Sequence, residues 1–250
     1  MKMNKQQINF LEEIASNGHP ALNVRQYDGW LMRFSGGYTG RANSVSLLYP
    51  SRLEIPEKVA FCEECYAKQG LPARFKLTDG DEYFSAYLES RGYKVVTPTD
   101  VMILDLDEAD LKADAEDIVF AEKPGEWLED WFGFEGLTDP VKQELFRKIL
   151  DKVLADTAWC AVMKDGKPTA LAATASEQDY ALLQYVVVDP ALRGNGLGEK
   201  LCRAALAEAQ ERGVRYAYLQ VVQDNAAAMN LYRKLGFSKA YTYWYMRQDV

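Results

Sequence analysis

Between Val186 and Leu201 the chain reads Val-Val-Val-Asp-Pro-Ala-Leu-Arg-Gly-Asn-Gly-Leu-Gly-Glu-Lys-Leu, and few arrangements accommodate that order of residues. The three valines read as a buried strand that Pro190 breaks. From Leu197 onward, Leu201, Ala205 and Ala209 recur at the spacing of a helix with one packed face. A glycine turn leading straight into a helix makes an anion site: the first helical N–H groups have no intrahelical acceptor, and the helix dipole places about half a positive charge there. Gly194, Gly196 and Gly198 leave room for a phosphate to reach the backbone. Arg193 adds a planar, permanently charged fork that suits phosphate oxygens. The physical reading is a strand–turn–helix that binds a pyrophosphate.

Spacing narrows the ligand. A P-loop carries Lys-Ser or Lys-Thr after its last glycine, whereas Glu199 follows Gly198. A Gly-x-Gly-x-x-Gly dinucleotide fingerprint requires a glycine where Glu199 again stands. The arrangement that fits is Arg-x-x-Gly-x-Gly after a Val-x-Pro strand end, an acetyl-CoA turn. Downstream, Gly213 ends the helix, Tyr216 to Val222 reads as a strand, and Asn225 to Leu235 reads as a short helix stopped by Gly236-Phe237. On these residues the chain resembles the GNAT superfamily of acyl-CoA-dependent N-acetyltransferases. The second CoA segment of that superfamily, Asn-x-x-Ala-x-x-Leu-Tyr-x-x-x-Gly-Phe, is supplied by Asn225, Ala228, Leu231, Tyr232, Gly236 and Phe237.

The resemblance implies an α/β fold with a mixed sheet, and an acetyl group moved from acetyl-CoA, as co-substrate, to an amine by direct attack. It implies that the pantetheine arm adds to a splayed strand edge at the backbone of Val186 and Val188. Arg193, Gly194, Asn195, Gly196, Leu197 and Gly198 would hold the pyrophosphate. Asn225 would contact the CoA arm or cap its helix, and Tyr232 would give a proton to the leaving thiolate. The general base stays open among Glu135, Glu177, Asp179 and a water relay.

Residues 117–250 read as a complete module in the order β-α-α-β-β-β-α-β-α-β. Its elements are a strand at 117–121, helices at 126–132 and 139–154, strands at 157–163, 169–175 and 180–188, then those above and a last strand at 240–246. Residues 1–106 carry a weaker echo: a helix at 4–15, strands at 24–27, 30–34 and 44–49, a helix at 57–69, a strand at 74–77, a helix at 82–90 and a strand at 95–104. Leu88 to Tyr93 parallels Tyr232 to Phe237, and Met102 and Met246 follow at the same offset. We read 1–106 as a degenerate copy of the module, with the acidic stretch 107–116 as linker. Ser51 to Pro56, where the copy would have its turn, contains no glycine, and Leu88 stands in place of Tyr232. One acetyl-CoA site is therefore expected, in the second half. The glycine-rich loop from Phe34 to Ser44 could choose the acceptor through Tyr38, Arg41 and Asn43, or simply join two strands. Trp127, Trp131 and Phe132 either shape an apolar pocket or fill core.

With 29 basic and 37 acidic residues, the net charge of −8 argues against a nucleic-acid partner. No apolar run approaches a membrane span and the start is polar, so a cytoplasmic protein is expected. Cys62 and Cys65 fall inside a helix, Cys160 and Cys202 lie far apart, and His19 is the single histidine. Packed thiols and no metal are the expectation. The acceptor amine is not legible. Two other classes remain: a non-catalytic acyl-CoA-binding sensor or regulatory protein, and an interaction module built on the first half.

Overall fold

Two tight turns show how local sequence sets the architecture. Asp28-Gly29 and Asp165-Gly166 each place two successive residues in the left-handed region, at φ of 42° and 81° and of 52° and 74°. Two-residue hairpins of matching twist need that geometry. The computed structural model describes residues 3–112 and 116–248; residues 113–115 of the expected linker lie outside the described residues. In chain order the elements are α1 (Lys5–Gly18), β1 (Asn23–Tyr27), β2 (Trp30–Phe34), β3 (Val45–Leu47), α2 (Ile55–Ala67), β4 (Arg74–Thr78), α3 (Glu82–Ser90) and β5 (Lys94–Asp105). There follow β6 (Ile118–Ala121), α4 (Trp127–Glu135), α5 (Pro140–Leu150), β7 (Asp156–Lys164), β8 (Lys167–Glu177), β9 (Tyr180–Val188), α6 (Leu197–Glu211), β10 (Tyr216–Val222), α7 (Ala226–Lys234) and β11 (Ser238–Arg247).

These spans follow the sequence reading closely, with two informative differences. β3 is shorter than 44–49 because the Leu48 and Tyr49 N–H groups both donate to the Gly29 carbonyl at the hairpin instead of to a neighbouring strand. α5 ends at Leu150, short of 154, and Leu154 is 97% exposed, so it adds no burial to a longer helix.

The chain divides into two compact units, and neither is a continuous stretch. One contains the residues up to Asp100, Glu144–Val153 and the chain from Ala240 on; the other contains Val101–Gln143 and Leu154–Lys239. In the first unit β1, β2 and β3 are antiparallel neighbours, β3 runs parallel to β4, and β11 pairs antiparallel with β4 from Tyr243↔Thr78 to Arg247↔Arg74. Trp30, Phe75, Phe84, Leu88 and Met246 share its core. In the second unit β6 to β9 form an antiparallel meander and β9 pairs parallel with β10. Met102 and Leu104 of β5 pack there with Leu201, Ala205 and Leu219. The strand written at the end of the first half thus feeds the second core, and the strand written last feeds the first.

The helices of the two halves end alike. The Tyr93 N–H donates to the Leu88 carbonyl at 3.1 Å and the Phe237 N–H to the Tyr232 carbonyl at 3.0 Å, across Gly92 and Gly236 at φ of 84° and 96°. The Leu71 and Val214 N–H groups close α2 and α6 in the same way, onto Tyr66 and Ala209. Each is the six-residue turn that a left-handed glycine permits at a helix end, with an apolar residue tucked behind it.

Candidate active site

The site is built on β9. Opposite β8 its register jumps: Leu171 faces Val187, but Ala173 faces Gln184, so Tyr185 and Val186 stand against Ala172 alone. The extra residue is accommodated by Tyr185 at φ 59°, a conformation that costs a side-chain-bearing residue about 1 to 2 kcal/mol. On the other edge, parallel pairing with β10 runs from Tyr180↔Tyr216 to Leu182↔Tyr218 and stops, while β9 continues to Val188 and β10 to Val222. Beyond Leu182 the two strands part. Val186 and Val188, both half-buried, lie on the parted stretch.

The glycine turn follows directly. Asp189 caps a single 3-10 turn at Pro190–Leu192 through the Ala191 N–H, 2.9 Å. Arg193 bends back so that its Nε donates to the Val188 carbonyl at 3.3 Å, and the Asn195 carboxamide donates to the Leu192 carbonyl at 3.0 Å. Gly194 and Gly196 lie at φ 83° and 79°, and a Cβ on either would meet nothing within 4 Å. Gly196 is the N-cap of α6 and offers no capping side chain, so the first-turn N–H groups face an exposed turn. Gly198 serves differently: a Cβ there would lie 3.4 Å from Leu231 and 3.5 Å from Val188, so this glycine sets how closely α6 approaches β9 and α7. Leu197 packs against the core. Glu199 would oppose an anion at this helix end, but Lys234 and Arg203 engage its carboxylate at 2.5 and 3.0 Å and hold it below its ordinary pKa.

Tyr232 lies on α7, 8% exposed, with its ring edge-on to Phe237 at 6.0 Å. Burial, with the Cys202 thiol as a minor neighbour, raises the phenol pKa, so it stays protonated through the neutral range. The Asn225 side chain accepts the Ala228 N–H at 3.1 Å and caps α7. Among the carboxylates, Glu135 at the end of α4 is raised by burial and drawn back by Arg193, which places its charge within the field of the turn. Glu177 and Asp179 bracket the β8–β9 hairpin at the opposite end of β9, about 20 Å from the bulge for Asp179 at the rise of a strand. Trp127, Trp131 and Phe132 are buried, and the two tryptophans join Trp159 and Tyr185 in one aromatic cluster.

The first unit builds a different object at the corresponding helix start. The Asp28 carboxylate accepts the Arg52 and Leu53 N–H groups at 3.0 and 2.9 Å and pairs with Lys58 at 3.2 Å. The Lys58 side chain is fully buried, its ammonium 4.1 Å above the Trp30 ring. The chain supplies its own anion just before α2. The Leu53 N–H is the main reason the Asp28 carboxyl lies below its ordinary pKa, with the Arg52 N–H and Lys58 adding to it against desolvation. The resulting stabilisation is in place at neutral pH and is lost as the pH falls through that lowered value. Asp28→Ala leaves the buried ammonium its bonds to the residue-28 carbonyl and the Ser51 hydroxyl but no counter-charge, so the melting temperature should drop by several degrees, and Lys58→Met in the same chain should recover part of the loss. Thermal denaturation of the two variants is the check, and a melting temperature unmoved by Asp28→Ala contradicts the pairing.

In the Phe34–Ser44 loop, Asn43 is an organiser. Its Oδ1 accepts the Ser35 and Gly37 N–H groups at 2.7 and 2.9 Å, and its amide donates to the Thr39 carbonyl. Arg33 donates to the Arg41, Ser16 and His19 carbonyls, and His19 meets the Thr39 hydroxyl at 2.9 Å. Burial lowers the His19 pKa well below its usual value. Leu145 of α5 lies against Gly36, and Phe146 lies against Tyr38 and His19. Burial pushes the Cys62 and Cys160 thiols up to about 12, which makes them unreactive packing groups. Among the described residues no cluster of three metal-binding side chains occurs, and no helix is long and apolar enough to cross a membrane.

A parted β9–β10 pair that runs into an uncapped glycine turn, within a mixed sheet, is the arrangement expected of a GNAT-type N-acetyltransferase. The chain belongs to the family described as probable histone acetyltransferase Rv0428c, C-terminal, whose model matches residues 5–246. It is 26% identical over 238 residues to YobR of Bacillus subtilis, an uncharacterized N-acetyltransferase, covering 92% of this chain and 94% of that one. It is 40% identical over 77 residues to the ribosomal protein bS18-alanine N-acetyltransferase of Escherichia coli, covering 31% of this chain and 52% of that one. Its fold matches a GCN5-related N-acetyltransferase from Kribbella flavida with a TM-score of 0.72 at 16% identity, over 100% of this chain and 97% of that one. It also matches a tandem GNAT protein of the clavulanic acid pathway, with a TM-score of 0.64 at 17% identity, over 83% of this chain and 76% of that one.

Proposed function

We propose that the protein transfers the acetyl group of acetyl-CoA to a primary amine of a small molecule or peptide by direct attack, in the cytoplasm and without a metal. The observation that carries the reading is the succession along β9 of the end of pairing with β10, the bulge and the uncapped turn. The pyrophosphate would lie on the Gly194–Gly198 backbone beside Arg193. The pantetheine arm would run along Val186 and Val188, and Asn225 would shape the mouth as a helix cap. The neutral amine nitrogen attacks the thioester carbonyl carbon, a C–N bond forms, the C–S bond breaks, and the sulfur takes the Tyr232 hydroxyl proton. The proton that the nitrogen sheds returns through solvent or a carboxylate to Tyr232, leaving amide and CoA thiol. Because burial makes the phenol a weaker acid, its proton moves as the sulfur charge develops rather than before. Of the candidate bases, Glu135 is favoured because burial raises its carboxyl pKa, while Glu177 and Asp179 lie at the far end of β9.

The first half is read as a degenerate copy over residues 1–106, joined by 107–116 to the catalytic half at 117–250. Asp28 supports that reading by filling the place a phosphate would take. Thermal stabilisation by acetyl-CoA against free CoA, followed by thiol release over a panel of amines, tests the proposal. Release of CoA thiol with an amine supports it. Tight acetyl-CoA binding with no turnover on any amine supports the sensor reading, which the deep burial of Tyr232 leaves room for.

A further inference from the structure

The bulge that parts β9 from its neighbours lies at Tyr185, a residue with no intrinsic preference for a positive φ. Such a conformation persists when the surroundings over-determine it. Here the surroundings are specific. The Trp131 indole N–H donates to the Tyr185 carbonyl at 3.0 Å, in a buried position. The Tyr185 ring stacks on Trp159 at 1° between planes and 6.1 Å between centroids, and Trp131 stands edge-on to it at 5.9 Å. Four residues earlier on α4, Trp127 makes the same kind of bond, 3.1 Å to the Cys160 carbonyl, but on β7, and it meets Tyr185 through its ring alone, edge-on at 6.4 Å.

We infer that Trp131 is a positioning residue for the acyl donor: its N–H holds the Tyr185 carbonyl in the bulged geometry and so keeps the Val186–Val188 backbone turned out for the pantetheine arm. The inference rests on the acetyl-CoA reading above and adds the residue that shapes the arm's strand. Trp131 acts on β9 at Tyr185, whereas the N–H groups that would bind the pyrophosphate belong to Gly194–Gly198, which meet β9 further on, at Val188. Loss of the N–H therefore weakens the grip on the arm and spares the grip on the phosphates.

Trp131→Phe keeps a ring and removes the donor. Equilibrium binding is measured with acetyl-CoA and with 3′-phosphoadenosine 5′-diphosphate, which carries the phosphates without the arm. In Trp131→Phe the acetyl-CoA dissociation constant should rise about tenfold, the scale of one lost buried hydrogen bond, while the fragment's stays within about twofold. Trp127→Phe keeps a ring in the same cluster and removes an N–H bond to β7 instead of to β9, so it should move either constant by no more than about twofold. Unaltered acetyl-CoA affinity in Trp131→Phe overturns the inference, as does an equal fall in both variants, which is the signature of general loosening. If Trp131→Phe does not fold, β-(3-benzothienyl)alanine at position 131 replaces only the N–H by sulfur and takes its place. Failure of the wild-type protein to bind acetyl-CoA would remove the donor reading itself, an outcome distinct from binding that ignores Trp131.

Discussion

Tyr232→Phe is expected to lower kcat by about 10²- to 10⁴-fold, the range of a lost general acid, and to leave acetyl-CoA affinity nearly unchanged. The ring stays packed against Phe237 and only the hydroxyl leaves, so folding is little affected. Without the phenolic proton the thiolate must leave charged in a pocket that burial has already made hostile to charge. Thiol release under saturating acetyl-CoA, paired with an equilibrium titration, separates the two effects. An unchanged kcat would remove Tyr232 from the chemistry.

The second large effect concerns the turn. Gly196→Val should weaken acetyl-CoA binding on the order of 100-fold or more, since two or three charge-assisted hydrogen bonds are lost when a side chain stands over the first-turn N–H groups. The space above Gly196 is open in the free protein, so the clash is with ligand and not with protein. Gly213→Val is the matched control. It lies past the other end of α6 at φ 90°, also with nothing within 4 Å of its Cβ, and carries the same kind of backbone penalty. Both variants should lose stability, but Gly196→Val alone should lose the ligand. Equal weakening would mean that backbone strain, not the anion cradle, governs binding.

The turn was legible because glycine at Gly194 and Gly196 leaves a mark that no other residue can leave, and both lie in the left-handed region. The bulge was not, because it rests on a tyrosine whose unusual φ is imposed by Trp131 and Trp159 from distant parts of the chain. Within the nine residues of β9 the apolar run signals burial on both faces and carries no mark of a register jump. Asp28 was legible as a hairpin residue, since Asp-Gly predicts the turn, whereas its hold on Arg52, Leu53 and Lys58 is tertiary. The sequence leaves Asn43 open between meeting an acceptor and joining two strands, and only the folded chain shows its carboxamide spent on Ser35, Gly37 and Thr39. Met102 and Met246 share an offset from Gly92 and Gly236, yet their strand pattern could not say which core each would enter.

That crossing of β5 and β11 has a consequence for synthesis. A ribosome delivers the chain from its N-terminal side, and by the time Asp100 has emerged the first unit has all of its strand residues except those of β11. Its edge at Thr78 to Arg74 stays without that partner until Tyr243 to Arg247 are made, after the whole second unit's sequence has been translated. The half without the glycine turn is therefore the last to be completed, and a chain cut short before Ser238 would leave an exposed strand edge there, the kind of surface on which nascent proteins aggregate.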